Sequence, residues 1–86
     1  MVAILILSGI SALNQSTEMI WKKVCEKNHI KLEIYNLSDN TLPENIQKLE
    51  LTTFPSFIMN NKVMAVGHPD NQEAERIILN LINKWH

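Results

Sequence analysis

The side chains that could act as a nucleophile, a base or a metal ligand are few and widely spaced in this sequence. Cys25 is the single cysteine, and the histidines are His29, His68 and His86. A disulfide needs two thiols, and a structural zinc site needs Cys or His ligands grouped at short spacings. Because neither pattern is present, the sequence predicts no internal disulfide, no metal site and no cofactor.

Cys25 itself lies towards the end of a predicted helix, beside Glu18 and Lys22, where we expect it to be partly exposed. A reactive thiol needs a lowered pKa, which a helix N-terminus or a cationic neighbour supplies. The C-terminal end of a helix dipole acts in the opposite sense, although Lys22 argues weakly the other way. We therefore predict an unreactive small side chain at this position.

Composition limits the classes of partner. The 86 residues are 45% apolar and 20% charged, which predicts one folded domain over residues 1–86. The formal charge is -1, and mixed basic and acidic residues leave no stripe for nucleic-acid phosphates. The apolar run at residues 1–7 is far shorter than the roughly 20 residues that span a bilayer, and it lacks signal-peptide flanks. We expect a cytoplasmic protein that binds neither nucleic acid nor membrane.

The first half of the sequence has the pattern of a β-α-β unit. Residues 2–7, VAILIL, form a continuous apolar run typical of a strand that is covered on both faces. A helix is predicted from Ser11 to about Lys27. Its sheet-facing stripe should contain Leu13, Thr17, Ile20, Val24 and the stem of Lys27. Residues 30–37 alternate between apolar and polar types, which predicts a second strand parallel to the first.

A short helix is predicted between the two halves of the chain. Thr41 and Glu44 have capping-box spacing, and Pro43 would lie inside the first turn. The helix should continue to about Leu49, with Ile46 and Leu49 facing inward.

The second half predicts a hairpin and a final helix. Residues 56–59 and 63–66 are β-prone runs, and the Asn pair in the connection 60–62 tolerates the positive φ of a tight turn. Asp70 and Glu73 have capping-box spacing before the helix. Its inward positions are Ala74, Ile77, Ile78, Leu81, Ile82 and Trp85. The order is βαβαββα, an α/β fold with a four-stranded mixed sheet flanked by three helices.

Residues 52–82, TTFPSFIMNNKVMAVGHPDNQEAERIILNLI, closely resemble the second half of small glutaredoxin-like thioredoxins of the archaeal type, in the thioredoxin-like superfamily. Such proteins have a cis-proline before the hairpin, a two-residue turn, a glycine that ends the last strand and a proline before the last helix. Pro55, Asn60-Asn61 and Gly67-His68-Pro69-Asp70 stand at those places. Residues 2–37 match by pattern alone. The resemblance implies a thioredoxin-like fold.

The resemblance also implies that the redox centre is missing. In that family a Cys-x-x-Cys motif follows the first strand, and Ser11-Ala12-Leu13-Asn14 stands at those positions here. Disulfide exchange needs an attacking thiolate and a resolving thiol, which a chain with one cysteine cannot supply. We therefore expect a redox-inactive relative, with no catalytic residue at the degenerate positions Ser11 and Asn14.

The ligand site that the resemblance implies lies around Pro55. A cis peptide bond there would present the backbone of Phe54 to an extended peptide or to glutathione, which would add like a further strand. Ser11 is either a plain helix cap or a polar anchor for the anion or thiolate of a ligand.

Three further residues belong to this implied site. His68 would lie near the proline loop and act as a base or a ligand contact. Thr53 and Asp70 would contact the backbone and the charged ends of a ligand.

The functions that follow belong to different classes and stay open. A binding module would hold an extended peptide or a partner protein across Phe54-Pro55 and the 9–14 loop, without sulfur chemistry. A glutathione- or thiol-binding enzyme or carrier would use Ser11 to hold the sulfur. A third alternative is an oxidoreductase relative that acts through Cys25 or a partner's cysteine. We expect the binding module, as a monomer or as a weak homodimer paired through the edge strand at residues 63–66.

Overall fold

The computed structural model describes residues 2–9, 12–37 and 42–84. The elements in these ranges are β1 (Val2–Leu7), α1 (Ala12–Lys27), β2 (Lys31–Asn36), α2 (Glu44–Gln47), β3 (Ser56–Met59), β4 (Lys62–Val66) and α3 (Asn71–Lys84). The strand order in the sheet is β2-β1-β3-β4, with β2 parallel to β1 and the other two pairs antiparallel. The described chain is thus an α/β structure with a four-stranded mixed sheet and three helices. The predicted cap Thr41 and the predicted core residue Trp85 lie outside the described residues.

β1 is a central strand that separates two apolar clusters. Ala3, Leu5 and Leu7 belong to the larger cluster, which also contains side chains of α1 and α3. Ile6 belongs to the smaller cluster with Ile46 of α2. Both faces of β1 pack against apolar side chains, with only Val2 at its start strongly exposed, and the strand has no polar alternation. This arrangement confirms the prediction of a strand covered on both faces.

The buried face of α1 differs from the predicted stripe. Its buried residues are Asn14, Thr17, Trp21, Val24 and Cys25. Leu13 was expected to face the sheet, but it is 61% exposed. Trp21 stacks on Phe57 of β3 with ring centroids 3.8 Å apart and planes 5° from parallel. Because the indole is the largest apolar group on the helix, its burial turns the helix by about one residue from the predicted face.

This rotation also overturns the expected exposure of Cys25. The thiol belongs to the larger apolar cluster and is 1% exposed. The expectation of a partly exposed cysteine was wrong because the stripe was centred on Leu13 and Ile20 instead of Trp21.

The short helix α2 begins later than its sequence pattern predicts. Pro43 has φ -57° and ψ 149°, which is an extended conformation, so it precedes the helix instead of lying in the first turn. No side-chain hydrogen bond from Pro43 caps α2, since proline has no side-chain acceptor. Ile46 is buried as expected.

The hairpin of β3 and β4 has a two-residue turn. Asn60 and Asn61 have φ values of 56° and 60°, the backbone sign that a type I′ turn requires at both positions. Met59 pairs with Lys62, so Lys62 begins β4 and does not belong to the turn. The pairing shifts between Phe57 and Ile58, which places a bulge in the edge strand β4.

The helix α3 is capped at its start by Asp70. The backbone N–H of Glu73 donates to Asp70 Oδ1 at 2.8 Å, which confirms this half of the predicted capping box. Lys27 Nζ lies 2.6 Å from Glu75 Oε1 and links the end of α1 to α3.

Within the described ranges, no helix combines the length and the apolar character needed to cross a bilayer.

The stacked pair should dominate the stability of the larger cluster. We expect Phe57→Ala to lower the free energy of unfolding by about 3–5 kcal/mol, because a large aromatic ring is removed from a filled core. Urea unfolding followed by circular dichroism measures the loss. Phe54→Ala is the matched control, since Phe54 is half-buried in the smaller cluster and should lose less. Equal losses in the two variants would contradict the central place of the stack.

Candidate functional site

The candidate site lies where β1 ends and β3 begins. Ile6 pairs with Ser56 in the antiparallel register, so the loop after β1 runs beside the segment that precedes β3. In this region Ser8, Gly9 and Thr53 are exposed. The fold therefore brings together the two segments that the sequence singled out.

The segment before β3 contains a cis peptide bond and is held by two hydrogen bonds and one apolar contact. The Phe54-Pro55 peptide bond is cis, as predicted. The carbonyl oxygen of Pro55 accepts a hydrogen bond of 2.9 Å from the backbone N–H of Gly67. The hydroxyl of Ser56 donates to the carbonyl oxygen of Thr53. Phe54 packs its side chain against the smaller cluster, so the phenyl ring anchors this segment to the sheet.

Asn14 holds the loop after β1 in place. Its Nδ2 donates to the carbonyl oxygen of Ser8 at 3.0 Å and lies 3.3 Å from that of Gly9. Asn36 Nδ2, at the end of β2, reaches the same Gly9 carbonyl at 3.2 Å. Gly9 has φ 73°, a left-handed conformation that glycine adopts without steric cost. Asn14 is 8% exposed, so it acts from beneath the loop.

This role of Asn14 was not predicted. The sequence places it at a degenerate dithiol position, and the structure makes it a donor to the loop carbonyls instead. The sequence does contain a sign of this role, because Asn14 is a short amide side chain in the first turn of a helix. Residues of this type commonly form hydrogen bonds to nearby backbone. Ser11, the other degenerate position, lies outside the described residues.

His68 follows the strand-ending Gly67, next to the proline segment, and its side chain is exposed. Its Nδ1 lies 2.6 Å from the hydroxyl oxygen of Thr17, across 51 residues of sequence. Helical periodicity predicts that Thr17 is a packing residue and gives no sign of this bond. No periodicity rule could have found it, because the partners come from α1 and from the loop before α3.

Asp70 and Thr53 are both exposed. Asp70 uses Oδ1 to cap α3. Its Oδ2 has no hydrogen-bond partner within the described part of the chain. Thr53 lines a small pocket beside the proline segment.

This pocket has a volume of about 240 Å³ and extends from Thr53 across β3 to the edge strand β4. Its lining residues are Leu49, Glu50, Leu51, Thr52, Thr53, Ser56, Val63 and Val66. Val63 and Val66 pair with Ile58 and Ser56, which places all four side chains on the α2 face of the sheet. We call this cavity the edge pocket.

A larger groove of about 530 Å³ lies along α1 and the start of α3. It is lined by Ser16, Met19, Ile20, Lys22, Lys23, Glu26 and Asn71, which are not among the predicted site residues. Over residues 2–9, 12–37 and 42–84, no group of three or more His, Cys, Asp or Glu side chains is placed to hold a metal ion.

Cys25 is separate from the candidate site. Burial raises the pKa of its thiol to about 11, because desolvation disfavours the charged thiolate. The expected lack of reactivity therefore has a clear physical basis, although the cause is burial and not the helix dipole.

Comparison of the chain with protein-family models gave no match, and comparison with curated protein sequences gave none either. A functional assignment therefore depends on the residues and the geometry of the site.

Asn14 supplies the first test of this geometry. We expect Asn14→Ala to lower the free energy of unfolding by about 1–2 kcal/mol, because the loop carbonyls lose a buried donor. Urea unfolding checks the loss, and amide NMR shifts should change at Ser8 and Gly9. Gln15→Ala is the matched control on an exposed position of the same helix turn and should change stability little. An Asn14 variant as stable as the control would show that the amide does not hold the loop.

The thiol supplies a second test. A pKa raised from 9.0 to about 11 lowers the thiolate fraction at about pH 8 by roughly 100-fold, and the thiolate is the reacting form. We expect iodoacetamide to alkylate Cys25 at least about 100-fold more slowly in the folded protein than in urea.

A variant carrying Gln15→Cys and Cys25→Ala is the control for reagent access, because it has one thiol on an exposed position. This thiol should react quickly in the folded state. Alkylation of native Cys25 at a similar rate would contradict the buried, protonated thiol.

Proposed function

We propose that this protein is a thioredoxin-like domain without the redox dithiol, and that it binds an extended peptide or a segment of a partner protein. The binding surface would run along Thr53, Phe54 and Pro55, flanked by the loop after β1 and by His68. The observation that carries the proposal is the edge pocket, which opens beside Thr53 and ends at the apolar side chains of β4. The single cysteine supports a cytoplasmic location.

The size of the edge pocket supports a peptide over a complete small molecule. Its volume of about 240 Å³ is below the range of about 300–1,000 Å³ that is typical of small-molecule sites. Such a volume suits one or two side chains. A strand-like ligand would place alternate side chains on one face, so one of them would reach the pocket while its backbone lies along Thr53 and Phe54.

The lining of the edge pocket is mixed, since Thr52, Thr53 and Ser56 stand beside apolar side chains, and an apolar anchor would suit its apolar end. Val63 and Val66 are large apolar side chains that are substantially exposed at the end of the pocket, and Leu51 lies on its other side. Burying exposed apolar surface provides most of the binding free energy at such a site. Glu50 lines the same pocket, so a basic residue next to the apolar anchor would complement its carboxylate.

Hydrogen bonds to the backbone of Gly9 and Pro55 support the same function. Asn14 and Asn36 both donate to the Gly9 carbonyl, and Gly67 donates to Pro55. A surface whose backbone is already ordered loses less conformational entropy when a peptide binds.

A library of random decapeptides displayed on phage tests the proposal. Peptides selected on the wild-type protein should place an apolar side chain in the edge pocket. We expect Val66→Asp to weaken their binding by at least about tenfold, because a carboxylate would be desolvated in the pocket. Fluorescence anisotropy with the selected peptide measures the dissociation constant.

Met19→Asp is the matched control, since it introduces the same charge at an exposed apolar side chain of α1 outside the edge pocket. Its dissociation constant should match that of the wild type. Peptides that bind both variants equally well would overturn the proposal. A parallel titration with reduced glutathione, giving amide shifts confined to Phe54 and Asp70, would favour the thiol-binding alternative instead.

A further inference from the structure

The geometry points to Thr17 as a positioning residue, which we infer holds the imidazole of His68 so that Nε2 faces the bound peptide. This inference rests on the proposed peptide-binding function and goes beyond it, because Thr17 is 1% exposed and lies too deep to meet a ligand itself. It acts through the hydrogen bond of 2.6 Å between its hydroxyl oxygen and His68 Nδ1.

The backbone on both sides of His68 is held independently of this bond. Gly67 donates to the carbonyl oxygen of Pro55 at 2.9 Å, which places the next residue beside the proposed binding surface. Pro69 is buried, and Asp70 caps α3. The remaining freedom of His68 is therefore rotation of its side chain, and the bond to Thr17 restricts this rotation.

The bond also selects which ring nitrogen a ligand meets. With Nδ1 engaged by Thr17, Nε2 is left, and it has no partner within the described ranges of the chain. The threonine hydroxyl can both donate and accept. The contact to Nδ1 is therefore compatible with either neutral tautomer of the ring.

Thr17 can serve in this way because it comes from a rigid element. It lies on the buried face of α1, one turn before Trp21, and the stacking of Trp21 on Phe57 fixes the rotation of the helix. A side chain that is already ordered before binding loses less rotamer entropy when it contacts a ligand. Immobilising one free side chain costs roughly 3–10-fold in affinity, which sets the size of the expected effect.

A double-mutant cycle tests the inference with the peptide selected from the decapeptide library. Thr17→Val keeps the shape of the side chain and removes the hydroxyl, and we expect it to weaken binding roughly 3–10-fold. His68→Ala should weaken binding at least as much. In the double variant the effect of Thr17→Val should disappear, because Thr17 acts only through His68.

Thr17→Ser is the matched control, since it retains the hydroxyl and should keep near-wild-type affinity. Urea unfolding of each variant separates binding from stability, and Thr17→Ala provides a second hydroxyl-free variant if valine is not accommodated. If Thr17→Val weakened binding only by destabilising the fold, it would weaken binding equally in the His68→Ala background.

Two results would overturn the inference while the proposed function stands. One is an equal effect of Thr17→Val with and without His68, and the other is unchanged affinity in Thr17→Val when Val66→Asp still weakens the peptide. Binding that is insensitive to Val66→Asp would instead overturn the proposed function, and this inference with it.

Discussion

The stacking of Trp21 on Phe57 sets the rotation of α1, and the placement of the site residues on that helix follows from it. Asn14 and Thr17 precede Trp21 by seven and four residues, spacings that share one helical face. With the indole fixed on β3, Asn14 comes under the loop after β1 and Thr17 comes against His68. A helix turned towards Leu13 would keep Thr17 on the buried face but would move Asn14 away from the loop carbonyls.

The same face explains how the backbone of Ser8 and Gly9 is held by hydrogen bonds. Asn14 supplies an amide that donates to the carbonyls of Ser8 and Gly9, and Asn36 adds a second donor from β2. Cys25, the remaining thiol, is buried on this face and has a raised pKa. The site is thus built from hydrogen bonds between polar groups and backbone, which agrees with the proposed role in binding rather than in electron transfer.

Predictions agree with the structure where neighbouring residues in the sequence decide the conformation by themselves. The Asn60-Asn61 turn and the Asp70 cap are examples, because positive φ and an N-terminal acceptor are needed whatever packs nearby. The predicted start of α2 was wrong by two positions, because Pro43 suits an extended conformation and takes the N-cap position that the pattern gives to Thr41. The predicted burial of Leu13 and the predicted exposure of Cys25 were wrong because periodicity alone leaves the rotation of a helix uncertain by about one residue.

The sequence by itself determined the succession of strands and helices, the coverage of β1 on both faces and the absence of a pair of thiols, since each depends on residue types near one another in the chain. Only the tertiary structure decided that Thr17 meets His68, that Asn14 supports the loop and that the edge pocket opens beside Thr53. These contacts join residues that are distant in sequence or depend on the rotation of α1. They exist because long-range packing, above all the stacking of Trp21 on Phe57, selects one rotation of α1. Local sequence patterns alone leave several rotations of the helix nearly equal in energy.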